Sequence, residues 1–252
     1  MERGPLAGSG GAGRVLIPRR FNGPPASANG GYACGLVARH IAGPAEVTLR
    51  SPPPLDTSLT IERRDDGRVL LCHGGLTVAE GRPAGAPDVE PPVRPTVAEA
   101  REALRRHPWL GGEHDFRACY VCGAGRHDGL GMHFGELRHA PGVTAALLIA
   151  DETVPHDADG VTCEIAWGAL DCPSYVPHLW DADVPSLLGR MRAELLEPIP
   201  LGVPVVATGW LLEQEGRKTY TASALLAADG RLLARAQHTW IQPRAALQAM
   251  SG

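Results

Sequence analysis

Two stretches of this chain place reactive groups where the backbone can assist them. The first, Asn29-Gly30-Gly31-Tyr32, opens an apolar helical pattern. The Asn29 side-chain oxygen can accept an orphan amide of the first turn. Amides at a helix start are unpaired and lie at the positive end of the helix dipole, and glycines let an acceptor oxygen approach closely. Such a cradle suits an oxygen that gains negative charge during a reaction; the plainer outcome is a capped helix with a tight turn. The second stretch is the apolar run from Ile165 to Pro173 that contains Asp171. A carboxylate there must be paired, cap a turn or work chemically. Asp171 could serve as a general base, or it could cap the turn that Pro173 begins.

Cysteines offer other chemistry. Cys34 lies near the start of the first helix, where thiolate is favoured. A covalent intermediate could use it, although a small buried helix residue is the commoner role. Cys119-x-x-Cys122 is half of a zinc knuckle. A structural zinc needs two more ligands, usually a second close pair. His114, His127 and His133 are nearby but form no pair of standard spacing. The expectation is therefore plain loop packing, with no metal ligands and no organic cofactor.

These residues need elements to hold them. Ala33, Leu36, Val37, His40 and Ile41 recur with helical period, and Gly43-Pro44 ends the pattern. Short runs rich in Val, Ile, Leu and Thr follow at 46–50, 58–64, 68–73 and 76–80, which predicts antiparallel strands. The second half repeats this order: a strand from 144, a helix over 161–170, a further helical piece over 184–195, then strands at 203–213, 218–227 and 232–242. Pro54-Leu55 has a counterpart in Pro200-Leu201. Gly67 and Gly81, each in an acid-Gly-Arg turn, have the same separation as Gly216 and Gly230. Matched spacing of this kind predicts two copies of one unit, the first having lost or shortened its last strand. The expected organisation is 1–95 as the first unit, 96–142 as a linker with a short helix and the Cys-x-x-Cys loop, and 143–252 as the second unit.

The 252 residues are 44% hydrophobic and 21% charged, as in an ordinary globular protein. A formal net charge of −4 gives no electrostatic case for nucleic acid or an anionic membrane. No apolar run approaches the ~20 residues that span a bilayer. The glycine-rich start has no apolar core of a signal peptide, so a flexible N-terminus and a cytoplasmic protein with six reduced thiols are expected.

The order helix, Pro-turn and strand run, given twice, resembles the double hotdog fold of thioesterase II-type acyl-CoA thioesterases. That resemblance implies an α+β fold with two curved antiparallel sheets, each wrapping a central helix. Asn29-Gly30-Gly31 looks like the family's Gly-Gly helix start. Ala169-Leu170-Asp171 and the apolar stretch to His178 resemble the segment with its catalytic aspartate. Leu233-Ala234-Arg235-Ala236-Gln237 resembles the strand with its catalytic glutamine. The likeness covers roughly 14–83 and 143–243. The family's third polar residue, a threonine, would fall near Leu188, with Ser186 close by, and 96–135 has no counterpart.

The resemblance implies hydrolysis of an acyl-CoA or acyl-carrier thioester. Water held by Asp171 and Gln237 would attack a carbonyl polarised by the Gly31 and Tyr32 amides, in a cleft shared by the two units. A dimer of the chain, formed through sheet edges, is also implied. The alternatives are a non-catalytic acyl-thioester-binding hotdog in which Asp171 is a cap, and a hotdog hydratase. Hydratases carry Asp and His five residues apart with Asn-Pro between, whereas here Val176 holds that place and His178 lies beyond it.

Overall fold

The computed structural model describes residues 13–111, 114–180 and 184–243. The expected flexible start, at 1–12, lies outside them. The chain runs β1 (Gly13–Leu16), α1 (Gly30–Ala38), β2 (Ala45–Leu49), β3 (Ser58–Arg63), β4 (Val69–His73), β5 (Leu76–Pro83) and α2 (Val97–Ala103). Then come β6 (Gly135–Leu137), β7 (Ala140–Leu148), β8 (His156–Asp157), β9 (Gly160–Val161), α3 (Cys163–Asp171), β10 (Leu187–Leu195), β11 (Val205–Glu215), β12 (Lys218–Ala227) and β13 (Leu232–Ile241).

Eleven strands form one antiparallel sheet in the order β1-β3-β4-β5-β2-β10-β13-β12-β11-β7-β6. The expectation of two separate sheets is corrected here. β2 and β10 pair directly, with Met191 opposite Val47 and Arg192 opposite Glu46, and this junction joins the halves. Reading outward from it, β2-β5-β4-β3-β1 on one side meets β10-β13-β12-β11-β7 on the other, the same order of strands in each half.

β10 was expected as a helical piece over 184–195. Its apolar residues fit either period over so short a run. Pairing on both sides, with β2 and β13, decides for a strand and turns Met191 and Ala193 into the core. The glycine spacing is also corrected. Gly67 does sit in the β3–β4 turn, but the β4–β5 turn is Gly74-Gly75, both at positive φ. Gly81 lies inside β5, where a side chain would strike Val37 Cγ1 at 2.6 Å. The last strand of the first half is therefore present. It runs to Pro83 and pairs with both β4 and β2.

Asn29 caps α1 as expected, its Oδ1 accepting from the Tyr32 amide at 2.9 Å. The helix does not have a single apolar face. Seven of its nine residues are buried, because it lies between the sheet and α3, and a helix that is apolar all round is a buried one. α1 and α3 run antiparallel and touch through glycines. A side chain at Gly31 would meet Asp171 Cβ at 2.5 Å and the Trp167 carbonyl at 2.6 Å; one at Gly35 would meet Glu164 Cα at 2.6 Å.

The segment between the halves has two separate uses. α2, closed by a capping box at Thr96 and Glu99, packs Ala100 and Ala103 against Val143, Ala145 and Leu147 on the sheet face opposite α3. The loop that follows enters the main core instead, burying Cys119, Tyr120, Val121, Cys122, Met132 and Phe134.

Candidate functional site

The end of α3 is held to the sheet by its own carbonyls. Ser223 Oγ donates to the Leu170 carbonyl at 2.8 Å, and Thr144 Oγ1 donates to that of Pro173. Trp240 Nε1 reaches both Ser174 Oγ and Thr221 Oγ1 at 3.1 Å. These bonds fix Asp171 opposite the start of α1. The Gly31 amide donates to Asp171 Oδ2 at 2.8 Å, so the two stretches singled out in the sequence meet. Asp171 is only 2% exposed, and its Oδ1 has no hydrogen-bond partner among the described residues. Burial pushes its carboxyl up to about 7; the Gly31 amide opposes that shift and the neighbouring Cys119 adds to it.

The amide cradle is filled by the protein's own side chains. Asp171 takes the Gly31 amide and Asn29 takes that of Tyr32. Leu188 packs on the first turn, within 2.9 Å of where a Gly30 side chain would begin. Ser186 is buried, its amide donating to the Tyr175 hydroxyl at 3.2 Å. Tyr32 stacks on Phe21 with ring centroids 4.3 Å apart, and burial pushes its phenol up.

Two expected residues do not fit their expected roles. Cys34 is fully buried, and burial with the nearby Asp171 charge pushes its thiol well above the usual range. That is the reverse of an activated thiolate: Cys34 is the fifth residue of α1, inside the helix and dry. Gln237 points away from α3. Along β13, Ala236, His238 and Trp240 are buried, while Gln237 faces the other side and accepts from Arg192 Nε at 3.1 Å. There it lines a shallow cleft of about 390 Å³ with Glu46, Arg190, Arg192 and Tyr220. The expectation that Gln237 holds a water beside Asp171 is not met by this geometry.

Two residues on the inner side were missed. His238, next to Gln237, is 2% exposed, and neither ring nitrogen has a hydrogen-bond partner among the described residues. Burial pushes its imidazole down to about 3, and the Thr221 backbone opposes that shift. Strict alternation along 232–242 was the available signal, since it puts small and apolar side chains on His238's face. Cys172 is the other. Its sulfur lies 3.8 Å from Cys119 Sγ, and the sulfurs of Cys119, Cys122 and Cys172 are all within 4.8 Å of one another. Asn29 Nδ2 reaches Cys119 and Cys172 at 3.8 and 3.7 Å. The cluster therefore adjoins the Asp171–Gly31 pair. His178 is exposed and bonds Gln214 at 2.6 Å, so it is no partner for Asp171 in hydratase chemistry.

No protein-family model matches the chain, and no curated protein matches it. Solved structures do. A protein from Novosphingobium aromaticivorans, described as a candidate thioesterase, superposes with a TM-score of 0.62 at 14% identity, over 92% of this chain and 96% of the other. An acyl-CoA thioesterase II from Mycobacterium marinum gives 0.57 at 11% identity over 92% and 93%. A hot dog-fold protein of unknown function from Alicyclobacillus acidocaldarius gives 0.60 at 14% identity over 95% and 96%. The chain has the hotdog fold of the thioesterase II-type structures along nearly its whole length.

Proposed function

We propose that the protein is a thioester hydrolase acting on an acyl-CoA or an acyl-carrier thioester. The observation that carries this reading is the meeting of Asp171, from one half, with the Gly31 amide at the helix start of the other. In this reading the halves descend from one duplicated unit and each contributes a different part to one site. The thioester carbonyl takes the Gly31 amide in place of Asp171. The displaced carboxylate then accepts a proton from the attacking water, and the amide, at the positive end of α1, holds the oxyanion. Leu188 and the first turn of α1 must part to admit the substrate. Collapse of the tetrahedral intermediate breaks the carbon–sulfur bond, and Asp171 returns its proton to the departing sulfur, giving the thiol and the free acid. The hydrolysis itself needs no metal or organic cofactor.

A second reading has its own observation. Both cradle amides are already satisfied and Asp171 is buried, as suits an acyl-thioester-binding hotdog with Asp171 as an interhelical cap. A panel of acyl-CoA and acyl-carrier thioesters separates the two: turnover supports hydrolysis, and binding without turnover supports the cap. The short end strands β1 and β6 are the edges through which two chains would pair. No helix among the described residues is long and apolar enough to cross a membrane, and the six cysteines are free thiols, which suits the cytoplasm.

A further inference from the structure

We propose that Cys119, Cys122 and Cys172 bind one thiophilic divalent metal ion of the zinc class, with a non-sulfur ligand in the fourth position. The three sulfurs are buried and lie within 4.8 Å of one another. Cys119 and Cys172 are 3.8 Å apart. With zinc–sulfur bonds of about 2.3 Å, the edge of a tetrahedral site is about 3.8 Å. A disulfide would need about 2.05 Å, and it would strand the third thiol.

The surrounding groups are those a metal–thiolate site requires. Gly123 closes the turn by donating to the Cys119 carbonyl at 2.8 Å, and a side chain there would strike that oxygen at 2.5 Å. The sequence Cys119-x-x-Cys122-Gly123 therefore folds as a knuckle around the first sulfur. Asn29 Nδ2 approaches two of the sulfurs from a third direction. Outer donors of this kind orient thiolate ligands and offset their charge.

Binding releases the thiol protons to solvent and changes no oxidation state. The proposal does not depend on thioester hydrolysis, because its test reads metal and not turnover. The full-length protein, purified under reducing conditions without chelator, is assayed for metal by mass spectrometry, stripped, and refilled with cobalt. The expected result is close to one zinc per chain and a thiolate-to-cobalt charge-transfer band. Cys172→Ser should weaken that band, whereas Cys72→Ser should not. In the wild-type protein, alkylation of Cys119, Cys122 and Cys172 should be slow with metal and fast after stripping, which keeps the test decisive if Cys172→Ser fails to fold. Failure to take up zinc or cobalt, a cobalt spectrum without the sulfur band, or alkylation indifferent to metal would overturn the proposal.

Discussion

The two ends of the α1–α3 pair each set an acid of α3 against α1, and they use it differently. At one end Glu164, its side chain 5% exposed, meets the Arg39 guanidinium at 2.6 Å, and Arg39 remains 53% exposed. That acid is neutralised and its partner is hydrated. At the other end Asp171 meets no cation. It has one backbone amide and one oxygen without a partner among the described residues, and it lies beside the Cys119 thiol and the Asn29 side chain. The first is an ion pair that closes a helix seam. The second is an acid kept buried at a cost, and such groups gather at functional sites.

Substitutions at the two ends sharpen the contrast. Asp171→Ala is expected to lower kcat for a hydrolysed thioester by about 10²–10⁴-fold, while Glu164→Gln leaves it within a small factor; steady-state assays of both variants check this. Gly31→Ala drives a methyl into Asp171 and the Trp167 backbone, for an expected loss of ~1–3 kcal/mol in denaturant unfolding.

Acid should weaken the fold through His238, whose folded pKa is depressed to about 3 from 6.5. Below pH 6.5 the unfolded chain takes up a proton that the folded chain refuses. Stability is therefore fully present above that pH and falls as pH drops toward 3. His238→Gln should flatten this part of a pH–stability curve. Arg39→Ala is expected to cost about 1 kcal/mol, reduced by hydration of the exposed guanidinium. Gln237→Ala, on the outer face, should change both stability and turnover least; a large drop in kcat would return Gln237 to the site.

Much of this arrangement was legible because it is local. The Asn29 cap follows from a side chain and an amide three residues apart, and a carboxylate in an apolar run announces itself at Asp171. β7, β11, β12 and β13 have enough alternation to be placed. What was not legible depends on distant pairing. Nothing near Cys119 and Cys122 points to Cys172, which the chain delivers from the end of α3. β10 reads as a helical piece until β2 and β13 flank it. Gly81 imitates a turn because it is followed by Arg82, yet it is glycine because Val37 packs against its Cα. Gln237 matched a family motif, but the pleat gives the inner face to His238.

The most direct measurement is the rate at which Asp171→Asn hydrolyses the best thioester in a panel, set beside the wild-type rate and the thermal stability of both. The carboxamide oxygen can still accept from Gly31, so the account predicts a folded protein of near-native Tm that binds the thioester and has lost nearly all turnover. Undiminished turnover in that variant, or a wild-type protein that binds thioesters and hydrolyses none, would contradict it.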